Sequence, residues 1–198
     1  MKPEGLKSNW WGWEYRAASR KQILERYEWF ISTLDSRLVE LDTLFQSRGG
    51  EGKLNRRSTS LRALATWLKA NVEYRQLTED EIAFAKASSP TWLHESLNAP
   101  ILTNYWVERS ADVGAYFGEV LRKSFPSLEW GLSRHSRKHA NFGQPVLVRP
   151  SGLEVPVITK AHVFMTGLHR NPDPATHLIM LFHRLKGWIG REFPESRQ

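Results

Sequence analysis

The sequence predicts a mixed α+β fold, and three observations carry that prediction. Helical periodicity runs through the chain as far as Phe125, period-two alternation follows Pro126, and two further helical stretches close the chain. Over 198 residues, 40% hydrophobic and 25% charged side chains are the proportions of a folded chain with a proper core, which excludes wholesale disorder. No internal repeat or convincing boundary divides it, so a single domain over 1–198 is expected, with 48–57 as the best linker candidate.

The first predicted helix covers residues 17–47. Leu24, Tyr27, Ile31, Leu34, Leu38, Leu41 and Phe45 recur in steps of three and four, a seam that permits coiled-coil pairing and a homo-oligomer through this helix. Ile23, Phe30 and Leu44 widen the stripe, which suits packing against the helix's own domain. Gly49, Gly50 and Gly52 stop it. Ser58 is the expected cap of a second helix whose apolar face is Leu61, Leu64, Trp67, Leu68 and Val72. Thr78 through Glu81 has capping-box spacing and opens a third. Ser89-Pro90 reads as a cap followed by a first-turn proline.

From Pro100 to Phe125 the pattern is helical again, with Leu102, Trp106, Val113, Tyr116, Phe117, Val120 and Leu121 facing inward. Then Leu128, Trp130 and Leu132 alternate with Glu129, Gly131 and Ser133 as a half-buried strand. Residues 145–149 and 153–157 predict a hairpin about Pro150-Ser151-Gly152, with Pro156 at an edge or ending its strand; a small antiparallel sheet over 128–157 follows. Two helices finish the chain, over 159–168 and from Asp173-Pro174 onward, the latter turning Leu178, Phe182, Leu185 and Ile189 inward.

The absence of cysteine excludes a disulfide framework, a thiol nucleophile and any thiolate metal site. The longest aliphatic run, Leu178 to Phe182, is too short to span a bilayer, and the first 16 residues lack a secretory apolar core, so a cytoplasmic protein without a membrane partner is expected. Three of the nine tryptophans lie in an N-terminal arm, Trp10, Trp11 and Trp13, read as a staple onto the body or a ligand surface. A net charge of +7 and a pI near 9.8 raise the question of an anionic partner, although acids are interspersed among the bases.

No phosphate loop, nucleophile elbow or metal motif is present, and no cofactor or metal is expected. His135 and His139 lie four apart, but Arg134, Arg137 and Lys138 around them would repel a cation; as a projecting loop, these five side chains suit an anion, phosphate or acidic protein surface. Residues 112–119 put Gly114 and Gly118 on one face of a helix, where another backbone can approach closely. Asp112, Tyr116 and Glu119 then read either as a polar cleft for a ligand or acid–base work, or as a close helix–sheet contact whose carboxylates pair with Arg109, Arg122 or Lys123.

Two stretches resemble patterns of an uncharacterised bacterial, largely actinobacterial, domain-of-unknown-function family. Residues 54–61 with Leu64 and Trp67 are similar to L-D-x-S-x-x-S-L-x-x-L-x-x-W, with Asn55 in place of the acid and Ser58 one residue late. Asp112, Gly114, Tyr116, Gly118 and Glu119 with the later Trp130 are similar to D-x-G-x-Y-x-G-E…W, followed by a hairpin with a Pro-Val step. The resemblance implies a bacterial cytoplasmic protein of α+β fold; some such proteins lie near toxin–immunity loci, and no mechanism comes with them. The expected function is non-enzymatic binding of a protein partner, immunity-like, with Asp112, Tyr116, Glu119 and Trp130 as the candidate site. Nucleic-acid binding by the loop 134–139 and an enzyme with a cleft at Asp112, Tyr116 and Glu119 stand as alternatives.

Overall fold

A computed structural model describes residues 17–192, and the aromatic arm expected over 1–16 lies outside them. The fold is α+β: among the described residues, six α-helices surround two small antiparallel sheets of two and three strands. Helix α1 spans Arg20–Ser47. It starts three residues later than position 17 because Ser19 caps it reciprocally with Gln22: the Ser19 hydroxyl accepts from the Gln22 N–H (3.2 Å) and the Ser19 N–H donates to Gln22 Oε1 (2.8 Å). Its buried residues are Ile23, Phe30, Leu38, Leu41 and Phe45, whereas Leu24 and Ile31 are 42% and 38% exposed. The seam read from Leu24 is therefore buried only in its second half, at Leu38, Leu41 and Phe45; in the first half Ile23 and Phe30 face inward in place of Leu24 and Ile31. What covers the first half of α1 is Trp130, whose ring meets Phe30 edge-on at 5.1 Å and whose carbonyl accepts from the Tyr27 hydroxyl at 2.7 Å.

Helix α2 is Ser60–Asn71, buried along Leu61, Leu64, Trp67 and Leu68 as the periodicity requires. It begins at Ser60 rather than at Ser58, and Thr59, its flanking residue, makes no side-chain cap. The Ser60 hydroxyl is turned inward to the Arg57 carbonyl and to Tyr116 instead. Then comes a strand that the periodicity does not announce: β1, Tyr74–Arg75, pairs antiparallel with β2, Ile101–Leu102. Pro100 thus leads into a strand, not a helix. Between the two rungs lie α3, Glu79–Ser88, opened by the expected Thr78–Glu81 capping box, and a 3₁₀-helix, Thr91–Asn98. Ser89 does not cap that helix; its hydroxyl donates back to the Ala85 carbonyl.

Helix α4, Asn104–Ser124, is central, with every residue from Ser110 through Gly118 buried. Strands β3 (Glu129–Leu132), β4 (Pro145–Val148) and β5 (Glu154–Val155) form a sheet in that order. The predicted hairpin is present, with Leu147 opposite Val155 and Val148 opposite Glu154, and Gly152 supplies the positive φ of its turn (+92°). Pro156, which cannot donate to a ladder, ends edge strand β5, and helix α5 (Val157–Gly167) follows at once. Helix α6, Pro174–Glu192, is capped by Asp173, whose carboxylate accepts from the Thr176 N–H (3.0 Å). Helices α1 and α5 pack on α4, and α6 packs along α2. No helix among the described residues is long and apolar enough to cross a membrane.

Candidate functional site

The glycine pair of α4 is a packing device. A Cβ added at Gly114 would stand 2.6 Å from the Cα of Ile158, and one added at Gly118 would stand 2.6 Å from the Trp130 ring and 3.3 Å from Val157. The first contact is helix against helix, α4 on α5, rather than the helix–sheet contact expected; the second reaches the sheet through Trp130. Both positions are filled by neighbours, which leaves no room there for a reactant.

The three polar residues of this segment do not converge on one cleft. Asp112 is 3% exposed and faces α1, where Arg37 donates to Oδ1 through Nε and a terminal nitrogen (both 2.7 Å) while Arg109 donates to Oδ2 (2.8 Å). Arg37 in turn lies over the Trp29 ring (5.3 Å). A cavity of about 230 Å³ opens here, with Asp112, Arg37, Arg109, Glu40, Glu108 and Trp29 in its wall, and neither Tyr116 nor Glu119 borders it. Tyr116 points instead toward the 54–61 stretch: its hydroxyl meets Ser60 Oγ and accepts the N–H of Arg56 at 3.1 Å. Burial holds that phenol above the usual tyrosine range. Glu119 accepts from the Trp130 indole N–H and from Arg122, both at 2.8 Å. Of the four candidates Asp112, Tyr116, Glu119 and Trp130, the structure brings together Glu119 and Trp130. Asp112 and Glu119 pair with Arg109 and Arg122, as the packing alternative required, and the sequence did not show that Arg37 would join them.

Every residue of 134–140, the link between β3 and β4, is exposed. His135 and His139 stack face to face, 3.8 Å between centroids. Beneath them lies a carboxylate that the local sequence does not show. Glu154 accepts from the Arg134 N–H (2.8 Å) and the Ser133 hydroxyl (2.9 Å), and stands 3.4 Å from His135 Nε2. The positive projection therefore has an acidic base, which offsets part of its field.

The surface that sequence reasoning passed over is the excursion 76–100. The two-rung ribbon β1–β2 closes its base, and Arg75 grips Glu81 through two hydrogen bonds, 2.7 and 2.6 Å, which hold the Glu81 carboxyl down at about 2. The Tyr74 hydroxyl ties the neck to the Met165 carbonyl of α5. Beyond the neck, α3 buries none of its residues, and Phe84 and Trp92 are 76% and 78% exposed. The signal was present as Phe84 and Trp92 within an acidic stretch, but periodicity alone cannot show that no core waits for them.

Comparison with protein-family models, with curated protein sequences and with solved structures found no match in any of the three.

Proposed function

We propose that this chain is a non-enzymatic, cytoplasmic protein-interaction protein, immunity-like in kind, whose docking element is the arm 76–100. One observation carries the reading: a ten-residue helix, α3, has no fully buried residue while its arm holds Phe84 and Trp92 in solvent. A helix of that length is marginal in water on its own, and two large aromatic side chains at such exposure are what an interface anchors itself on. The neck supports the reading, because fixing the arm at its base lowers the ordering cost of docking. The motif Asp112-x-Gly114-x-Tyr116-x-Gly118-Glu119 adds support from the other side, since its glycines are filled by neighbours and its Asp112, Tyr116 and Glu119 each have partners within the fold, Arg37, Ser60 and Trp130.

Affinity capture with the tagged full-length chain from its native lysate tests this. A stoichiometric partner should be retained by the wild type, retained by an Arg137→Ala, Lys138→Ala variant, and lost by a Phe84→Ala, Trp92→Ala variant. No stoichiometric partner, or one that survives removal of both aromatic side chains, would end the reading.

A second reading, nucleic-acid binding through Arg134, His135, Arg137, Lys138 and His139, is favoured by the exposure of the whole 134–140 loop. Affinity for DNA or RNA should then fall steeply with salt, and alanine at Arg137 and Lys138 should weaken binding on all sequences alike. Undetectable or salt-independent binding at low ionic strength removes it.

A further inference from the structure

The occupant of the arm has a chemistry that the chain itself supplies. Within 76–100 the acids are Glu79, Asp80, Glu81 and Glu95, against Lys86 as the single Lys or Arg, while the whole protein carries +7. The arm is therefore an acidic, aromatic appendage on a basic body. On that body a groove of about 450 Å³ lies between the end of α1 and the outer side of α2. Ala63, Ala70 and the buried Trp67 supply apolar surface in it; Arg48 and Arg62 stand along it, with Glu51 as its one acid. An apolar floor with guanidinium groups beside it suits an indole ring, which takes both the apolar contact and the cation over its face. Trp92 does not fill the groove of its own chain, since it remains 78% exposed.

Resting on the docking role proposed for the arm, we infer that its partner is a second copy of this chain, with Trp92 seated in the groove beside Arg48 and Arg62. The acids of the arm then lie against the positive body of the other copy, the sign that steers association and fixes register. Asn71, at the groove's end, is three residues from Tyr74 in the neck, so arm and groove sit side by side in the chain. That adjacency allows a reciprocal exchange about a two-fold axis, in which each copy gives an arm and receives one.

Sedimentation velocity of the full chain from about 1 to about 200 μM tests this. At about 50 mM salt the wild type should associate as concentration rises, and at about 500 mM the association should weaken. Trp92→Ala, at an exposed position that leaves the fold intact, should weaken it about 30-fold or more. Arg62→Glu, which reverses charge in the groove, should do the same. The two variants mixed should associate more tightly than either alone, because the variant lacking Trp92 still offers a groove and the variant lacking Arg62 still offers an arm. A wild type that stays monomeric throughout, an association that Trp92→Ala leaves unchanged, or a mixture no tighter than its parts would each overturn self-docking. If the chain is monomeric yet Phe84→Ala, Trp92→Ala loses a different protein in affinity capture, the arm keeps its docking role and only the identity of the partner falls.

Discussion

The hydroxyl of Tyr116, on the buried face of α4, meets the hydroxyl of Ser60, the first residue of α2, across 56 positions of sequence. The two motif-like stretches, 54–61 and 112–119, are thus halves of one contact. Arg56 completes it, holding a left-handed φ of +57° while its N–H donates to the same phenol oxygen. Tyr116→Phe should destabilise the fold by about 1–2 kcal/mol, because Ser60 keeps the Arg57 carbonyl as a partner whereas the Arg56 N–H is left without its acceptor. Urea unfolding with an unchanged slope checks this; no loss of stability would mean that water replaces the phenol at no cost.

Gly114 and Gly187 should respond to alanine with opposite signs. In an open helix interior the exchange is favourable by about 1 kcal/mol, and nothing lies within 4 Å of a Cβ at Gly187. At Gly114 the same Cβ would overlap the main chain of Ile158, which cannot swing aside as a side chain does, and overpacking of that kind costs about 1–3 kcal/mol. Melting temperature should rise for Gly187→Ala and fall for Gly114→Ala. A neutral or stabilising Gly114→Ala would refute the close packing of α4 on α5 and reopen that face to a ligand.

Asp112 is the shared anion of two arginines that differ in their access to water. Arg109 has a side chain 28% exposed and can recover water, and Glu40 is also within 3.4 Å of it, while the Arg37 side chain is only 11% exposed. Asp112→Ala should therefore cost about 3–5 kcal/mol in chemical denaturation, and a joint Arg37→Met, Asp112→Leu replacement should recover much of that loss. A cost below about 1 kcal/mol for the single change would mean that the pair is effectively solvated.

His162 should make stability fall over a window that the carboxylates do not share. Burial holds its imidazole down at about 4, against an ordinary 6.5, and the Ser110 hydroxyl lies 3.2 Å from Nδ1. Above pH 6.5 the ring is neutral in both folded and unfolded chains. Between 6.5 and 4 the unfolded chain takes up a proton that the folded chain refuses, so stability should decline by about 1.4 kcal/mol per pH unit at most and then level off. Glu81 and Asp173, whose carboxyls are lowered by hydrogen bonds from Arg75 and Thr176, act at lower pH. Denaturation at fixed urea across pH 4 to 7 should show the decline in the wild type and a flattened profile in His162→Gln; an identical profile would assign the decline elsewhere.

Some caps and turns were legible because their signals sit within four residues of the structure they make, although the equally local caps expected at Ser58 and Ser89 did not form. The Thr78–Glu81 box, the Asp173-Pro174 start and the hairpin turn at Gly152 all formed as their spacing required. The inward faces of α4 and α6 were legible too, since each is buried along its length and one period describes it. The candidate site was legible as a set of residues but not as an arrangement. Asp112 and Glu119 lie two turns apart on one helix, yet each carboxylate follows its own donors, Arg37 from α1 and Trp130 from β3. Neither donor is local in sequence.

By itself the sequence determined the fold class, the helices and the hairpin, and it excluded thiol chemistry. These follow from backbone preference and from amphipathic period, which act over a few residues. Tertiary structure alone decided three things. It chose Ile23 and Phe30 over Leu24 and Ile31 as the inward side of the first half of α1, where Trp130 arrives from a strand a hundred residues away to meet Phe30. It pinched off the 76–100 arm, because a two-residue strand such as Tyr74–Arg75 is too short to carry a period and exists only once Ile101–Leu102 pairs with it. And it left Phe84 and Trp92 in solvent, since hydrophobicity says that a side chain would gain by burial, and only the packed fold says whether its own core has a place for it.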